Sequence, residues 1–131
     1  FNSHSDVINC AIKYYDMIIS ASMDSTLRFW NWTDYICLDH VLIPDMKPKH
    51  LSLSNDCKYL LITDYMFKLR IYDIAQKKQI WVYEEFSEIK KAEWFCDCVN
   101  IIMVLEDNVK VLNLFYDFSN VAEEAANLTE E

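Results

Sequence analysis

The stretch Leu27-Arg28-Phe29-Trp30-Asn31-Trp32 (LRFWNW) recurs twice along the chain, as LRIYDI at 69–74 and VKVLNL at 109–114. The three align without gaps, 42 and 40 residues apart. Each places a basic residue second (Arg28, Arg70, Lys110), a large apolar residue fourth (Trp30, Tyr72, Leu112) and Asn or Asp fifth (Asn31, Asp73, Asn113). What lies around each copy repeats as well. DVINCAI (6–12), MIISAS (17–22), STLRFWNW (25–32) and YICLDHVLI (35–43) are short runs with a largely two-residue apolar period, separated by polar breaks. Pro44 and Pro48 punctuate a loop. KHLSLS (49–54), KYLLIT (58–63), FKLRIYDI (67–74) and KQIWVY (78–83) follow, then IKKAEWF (89–95), VNIIMVL (99–105) and VKVLNLF (109–115). Short strands joined by brief turns predict an antiparallel meander.

A four-stranded unit recurring at this interval is the pattern of a β-propeller blade, which cannot bury both faces of its sheet alone and must stack on neighbours. The expected fold is therefore all-β, with about three four-stranded blades over 1–43, 44–85 and 86–118. About four to eight blades close a propeller, so this is an incomplete one. The chain opens at Phe1 without a Met, which suggests a piece of a longer protein. From Ser119 the sequence turns to SNVAEEAANLTEE, Ala- and Glu-rich with a Ser N-cap candidate, and predicts a short acidic helix or tail over 119–131.

Composition narrows the function classes. The 131 residues are 53% hydrophobic and 15% aromatic, a globular content with material for a core. Acidic residues outnumber basic ones 21 to 12, net −9, which disfavours direct binding of nucleic acid. Glycine is absent. That excludes Rossmann and P-loop sites, and it moves turns needing φ > 0 onto Asn and Asp. The five cysteines are scattered and no signal-peptide pattern precedes them, so they read as reduced thiols in nucleus or cytoplasm. No apolar run approaches the length of a membrane span, and the two Asn-x-Thr matches (31–33, 127–129) mean nothing in an intracellular protein.

The stretch 4–32 resembles a WD40 repeat. It carries His4, with Ser3 where the repeat has Gly, then Ser20, Asp24 and Trp30. The resemblance implies a structural chain of hydrogen bonds from the Trp30 indole through the Ser20 hydroxyl and the His4 imidazole to the Asp24 carboxylate, a donor–relay–acceptor order that these groups can fill. A catalytic Ser-His-Asp group is the competing reading. It is disfavoured, because no nucleophile elbow or oxyanion loop accompanies it. The other two units depart from the pattern: six positions before Tyr72 stands Met66, and six before Leu112 stands Glu106. The likeness spans about 115 residues, close in the first unit and at pattern level in the rest.

A narrower likeness follows from His4-x-x-Val7, SASMDSTLRFWNW (20–32), AEWF (92–95) and MVLED (103–107), which together resemble the WD-repeat subunit of eukaryotic tRNA (guanine-N7)-methyltransferases. That likeness implies a non-catalytic scaffold without a cofactor or metal, holding a separate catalytic subunit and meeting tRNA only through the complex. It also places Arg28 at or beside the subunit contact, against the alternative of a salt bridge within the unit to Asp24 or a neighbouring acid. Lys77, Lys78, Lys90 and Lys91 are further partner-binding candidates, although solvated charges explain them too. Cys96-Asp97-Cys98 lacks a second ligand pair and reads as thiols. Two other classes stay open: a WD40 scaffold of unrelated purpose (an apoptosome-type sensor, a ubiquitin-ligase adaptor or a coat component), and an enzyme on a propeller. The last would need convergent acids, histidines or metal ligands, and the sequence offers none.

Overall fold

The computed structural model of the chain describes residues 4–97 and 99–113. Eleven strands run in order: β1 (Ile8–Tyr14), β2 (Met17–Ser22), β3 (Thr26–Asn31), β4 (Cys37–Leu42), β5 (Pro48–Leu53), β6 (Tyr59–Asp64), β7 (Lys68–Asp73), β8 (Lys78–Glu84), β9 (Ile89–Trp94), β10 (Asn100–Leu105) and β11 (Val109–Asn113). They form three antiparallel meanders, β1-β2-β3-β4, β5-β6-β7-β8 and β9-β10-β11. Among the described residues there is no helix. The helix or tail expected over 119–131 lies outside them.

The repeat is written in the backbone as firmly as in the side chains. Positive φ angles fall on Tyr15, Ser25 and Tyr35 in the first sheet, and 42 residues later on Cys57, Phe67 and Lys77 in the second. Each sheet also carries a bulge in its first strand. The pairing skips Asn9 between Ile8 and Cys10, Lys49 between Pro48 and His50, and Lys90 between Ile89 and Lys91. An extra residue there kinks the strand and raises its twist.

The expectation that Asn and Asp would occupy the positive-φ positions is overturned: of the seven such residues only Asp45 is one of them. The aspartates stand one position earlier. Asp24 Oδ1 accepts the Thr26 N–H at 2.9 Å, Asp34 Oδ1 the Ile36 N–H at 3.1 Å and Asp56 Oδ1 the Lys58 N–H at 3.1 Å, each bridging a left-handed residue. A non-glycine residue in that conformation costs about 1–2 kcal/mol. At these three turns the carboxylate clamp offsets part of that cost.

Packing follows from strand alternation. Ile19, Ala21, Leu27 and Phe29 point from the first sheet toward Leu60, Ile62 and Tyr72 of the second. Leu61, Leu69 and Ile71 on the second sheet's other face meet Ile101, Met103 and Leu112 of the third. The second sheet thus packs against a neighbouring sheet on both faces, and the outer ones each do so on one. Bulge residues rivet the stack: Asn9 Nδ2 donates to Pro48 O at 2.6 Å, and Lys49 Nζ donates to Ile89 O at 3.1 Å. Each reaches the first residue of the next sheet's first strand.

Candidate functional site

The strongest polar constellation sits on the outer face of the first sheet. Ser20 lies opposite Arg28 in the β2–β3 register, and Ile18 opposite Trp30, so all four share that face. The Trp30 indole, 2% exposed, donates to Ser20 Oγ at 2.8 Å. Ser20 Oγ lies 2.7 Å from His4 Nε2, and His4 Nδ1 lies 3.1 Å from Asp24 Oδ2. The carboxylate at Nδ1 selects the tautomer protonated there, which leaves Nε2 to accept from the serine. Asp24 also takes the Ser5 N–H at 2.9 Å and the Thr26 hydroxyl. Burial raises the Asp24 pKa, but hydrogen bonds from Thr26, Ser5 and His4 outweigh it and hold the carboxyl well below its usual range. The structure therefore brings His4, Ser20, Asp24 and Trp30 into one continuous network.

Chemically this arrangement is a clamp. The Ser20 oxygen is already engaged by the Trp30 indole as well as by His4, and the network ends on Asp24 in the β2–β3 turn. It ties the segment before β1 to β2, β3 and the turn between them.

The basic slot of the repeat behaves differently in each sheet. Arg70 is buried, and its Nε lies 3.2 Å from Asp64 Oδ2, with Nη1 donating to Gln79 Oε1 at 2.9 Å. Lys110 Nζ lies 3.2 Å from Glu85 Oε2. Arg28 has no ion pair among the described residues. Its Nη1 reaches only Cys37 Sγ at 3.8 Å, and its buried Nε has no hydrogen-bond partner. The salt bridge to Asp24 considered from sequence does not form, since Asp24 is committed to His4, Ser5 and Thr26.

The four lysines do not gather into one patch. Lys77 pairs with Asp39 of the first sheet at 2.8 Å, and Lys78 opens β8 beside it. Lys90 occupies the third sheet's bulge, and Lys91 pairs with Glu93 at 3.0 Å on the same strand. Among the described residues no three His, Cys, Asp or Glu side chains are grouped to hold a metal; Cys98 lies outside them.

Sequence reasoning missed Asp64 as the partner of Arg70. Six positions before Tyr72 stands Met66, whereas the acid stands at the slot that Ser22 fills in the first sheet. Asp64 Oδ1 caps Met66 N at 2.6 Å, as Ser22 Oγ caps Asp24 N at 3.1 Å, so the register itself was the available signal. Neither a protein-family model nor a curated protein matches the chain.

Proposed function

We propose that the chain is a segment of a WD40-type β-propeller that serves as a non-catalytic scaffold, and that it belongs to the propeller subunit holding the catalytic subunit of a tRNA (guanine-N7)-methyltransferase. The observation that carries the propeller reading is the network of His4, Ser20, Asp24 and Trp30 in a sheet whose left-handed backbone positions recur 42 residues on in the second sheet.

Both ends of the stack are left unmatched, which supports continuation into further sheets. Val104, Val109 and Val111 occupy the register positions of Ala21, Leu27 and Phe29, yet they are 37%, 61% and 57% exposed. Lys90 occupies the slot from which Asn9 and Lys49 each reach into the following sheet. At the other end Arg28 presents a half-buried guanidinium without an acid. A desolvated guanidinium is favourable only when a carboxylate or carbonyl completes it. Support for the methyltransferase partner is narrower: the TLRFWNW and MVLED stretches, and an Arg28 free to meet a partner's carboxylate.

Co-purification tests both levels. The parent protein carrying this chain should capture the tRNA (guanine-N7)-methyltransferase catalytic subunit. Arg28→Leu should weaken capture by roughly 2–5 kcal/mol if the arginine is desolvated in the contact, with an unchanged melting temperature. Capture by the variant equal to the parent's removes Arg28 from the interface. A parent that captures no methyltransferase removes that partner and leaves the general scaffold.

A further inference from the structure

The two uncovered faces of the stack are the two halves of a joint that the chain already makes inside itself. Where the first sheet meets the second, Ala21, Leu27 and Phe29 pack on Leu60, Ile62 and Tyr72, with Leu53 and Ile74 beside them. The third sheet's outer face presents Val104, Val109 and Val111 at the slots of Ala21, Leu27 and Phe29. The first sheet's outer face presents Ile18, Ser20 and Trp30 at the slots of Leu60, Ile62 and Tyr72, and Trp32 at the slot of Ile74. Ile74 packs on the first sheet, whereas Trp32 is 56% exposed. Apolar surface kept in water at both ends, in matching register, marks an interaction surface.

Charge points to what covers it. Glu93 lies opposite Ile102, so it shares the third sheet's outer face at the slot of Ile12. Its partner there is Lys91, in a pair exposed to solvent. Lys13 lies opposite Ile18 on the first sheet's outer face, at the slot of Leu53, and is exposed. Ile12 and Leu53 belong to one cluster across the first joint. The same stacking repeated at the ends therefore sets an acid, Glu93, beside a base, Lys13. Lys90 adds a hydrogen bond. It fills the slot from which Asn9 and Lys49 each reach the first carbonyl of the next sheet's first strand, and that position in the first sheet is Ile8.

We infer that a second copy of this chain docks the outer face of its first sheet on the outer face of the third, and that two copies close into a ring through two such joints. The two surfaces differ, so the contact is heterologous and closes only if the rotation per sheet permits. Two copies of three sheets make six, within the range of about four to eight that closes a propeller. Closure rests on the propeller reading, whereas the joint rests only on packing that the chain already repeats. In dilute solution the pair dissociates and the valine face stands in water.

Sedimentation equilibrium of the chain over a concentration series is the test. The mass should rise from 15.6 kDa to twice that value and stop. Val111→Glu should weaken association by roughly tenfold or more. Trp32→Ser, on the opposite face, should do the same, and both side chains are exposed enough in the single chain to leave its circular dichroism unchanged. Mixing these two variants should recover pairs held by one intact joint, which contact between like faces could not give. Glu93→Lys and Lys13→Glu should each weaken pairing, and both changes in one chain should restore it. Growth past two copies would keep the joint but overturn the ring, and with it the propeller geometry. A single-chain mass at every concentration, or pairing unaffected by variants of either face, would overturn the docking and leave these faces to further sheets of a longer chain.

Discussion

At the scale of single residues, Asp24 does two jobs that usually fall to different side chains. One oxygen clamps the turn around Ser25, and the other ends the network from Trp30. Removing it leaves the His4 ring and two backbone N–H groups without their acceptor. Asp24→Ala should cost about 1–3 kcal/mol in denaturant unfolding. Because the folded pKa is depressed, its contribution is complete above the unfolded carboxyl's value of 3.8 and is lost as pH falls through the folded value. The stability gap between parent and variant should therefore be constant near neutrality and close in acid. A gap that is the same at all pH values would show that the charge is not what stabilises.

The second sheet shows what an element does when the side-chain network is absent. In it Ile62 fills the Ser20 position and Tyr72 the Trp30 position. The Tyr72 hydroxyl has no hydrogen-bond partner, and burial, with the nearby charges of Asp39 and Asp73, pushes its pKa up to about 12. Polar cohesion passes instead to Arg70 and Asp64, neither of which retains appreciable solvent contact. Asp64→Ala strands a buried cation and should cost roughly 3–5 kcal/mol, whereas the double change Asp64→Leu with Arg70→Met should recover most of that loss. Thermal melts of the single and double variants decide it. If the double variant is no better than the single, the pair is more than a solution to its own desolvation.

For the whole molecule, position in the stack decides how much a given register slot contributes. Ile71 and Val111 are equivalent in the repeat, but Ile71 is fully buried against the third sheet while Val111 faces outward. Ile71→Thr should destabilise the chain by about 1–3 kcal/mol, and Val111→Thr should stay within about 0.5. Urea midpoints of the two variants measure this directly. Equal costs would mean that the third sheet's outer face is already covered when the chain stands alone.

The sequence by itself determined the strands and their repeat. Two-residue alternation and the spacing of LRFWNW, LRIYDI and VKVLNL are local properties of the chain, and strand boundaries agree with them to within a residue or two. The residues of the Trp30 network were legible for the same reason, since a fixed motif within one unit carries them. Tertiary structure decided the rest. Which of Arg28, Arg70 and Lys110 finds an acid depends on the neighbouring sheet and on Asp64, whose role emerges only when strands are set in register. Left-handed Tyr15, Phe67 and Lys77 contradict residue preference because strand pairing fixes each turn's length before the side chain is consulted. A groove between the first and second sheets, too, exists only through tertiary structure: Phe29 and Ala75, which line it, are 46 positions apart in the chain, and stacking of one sheet on the next is what makes them neighbours.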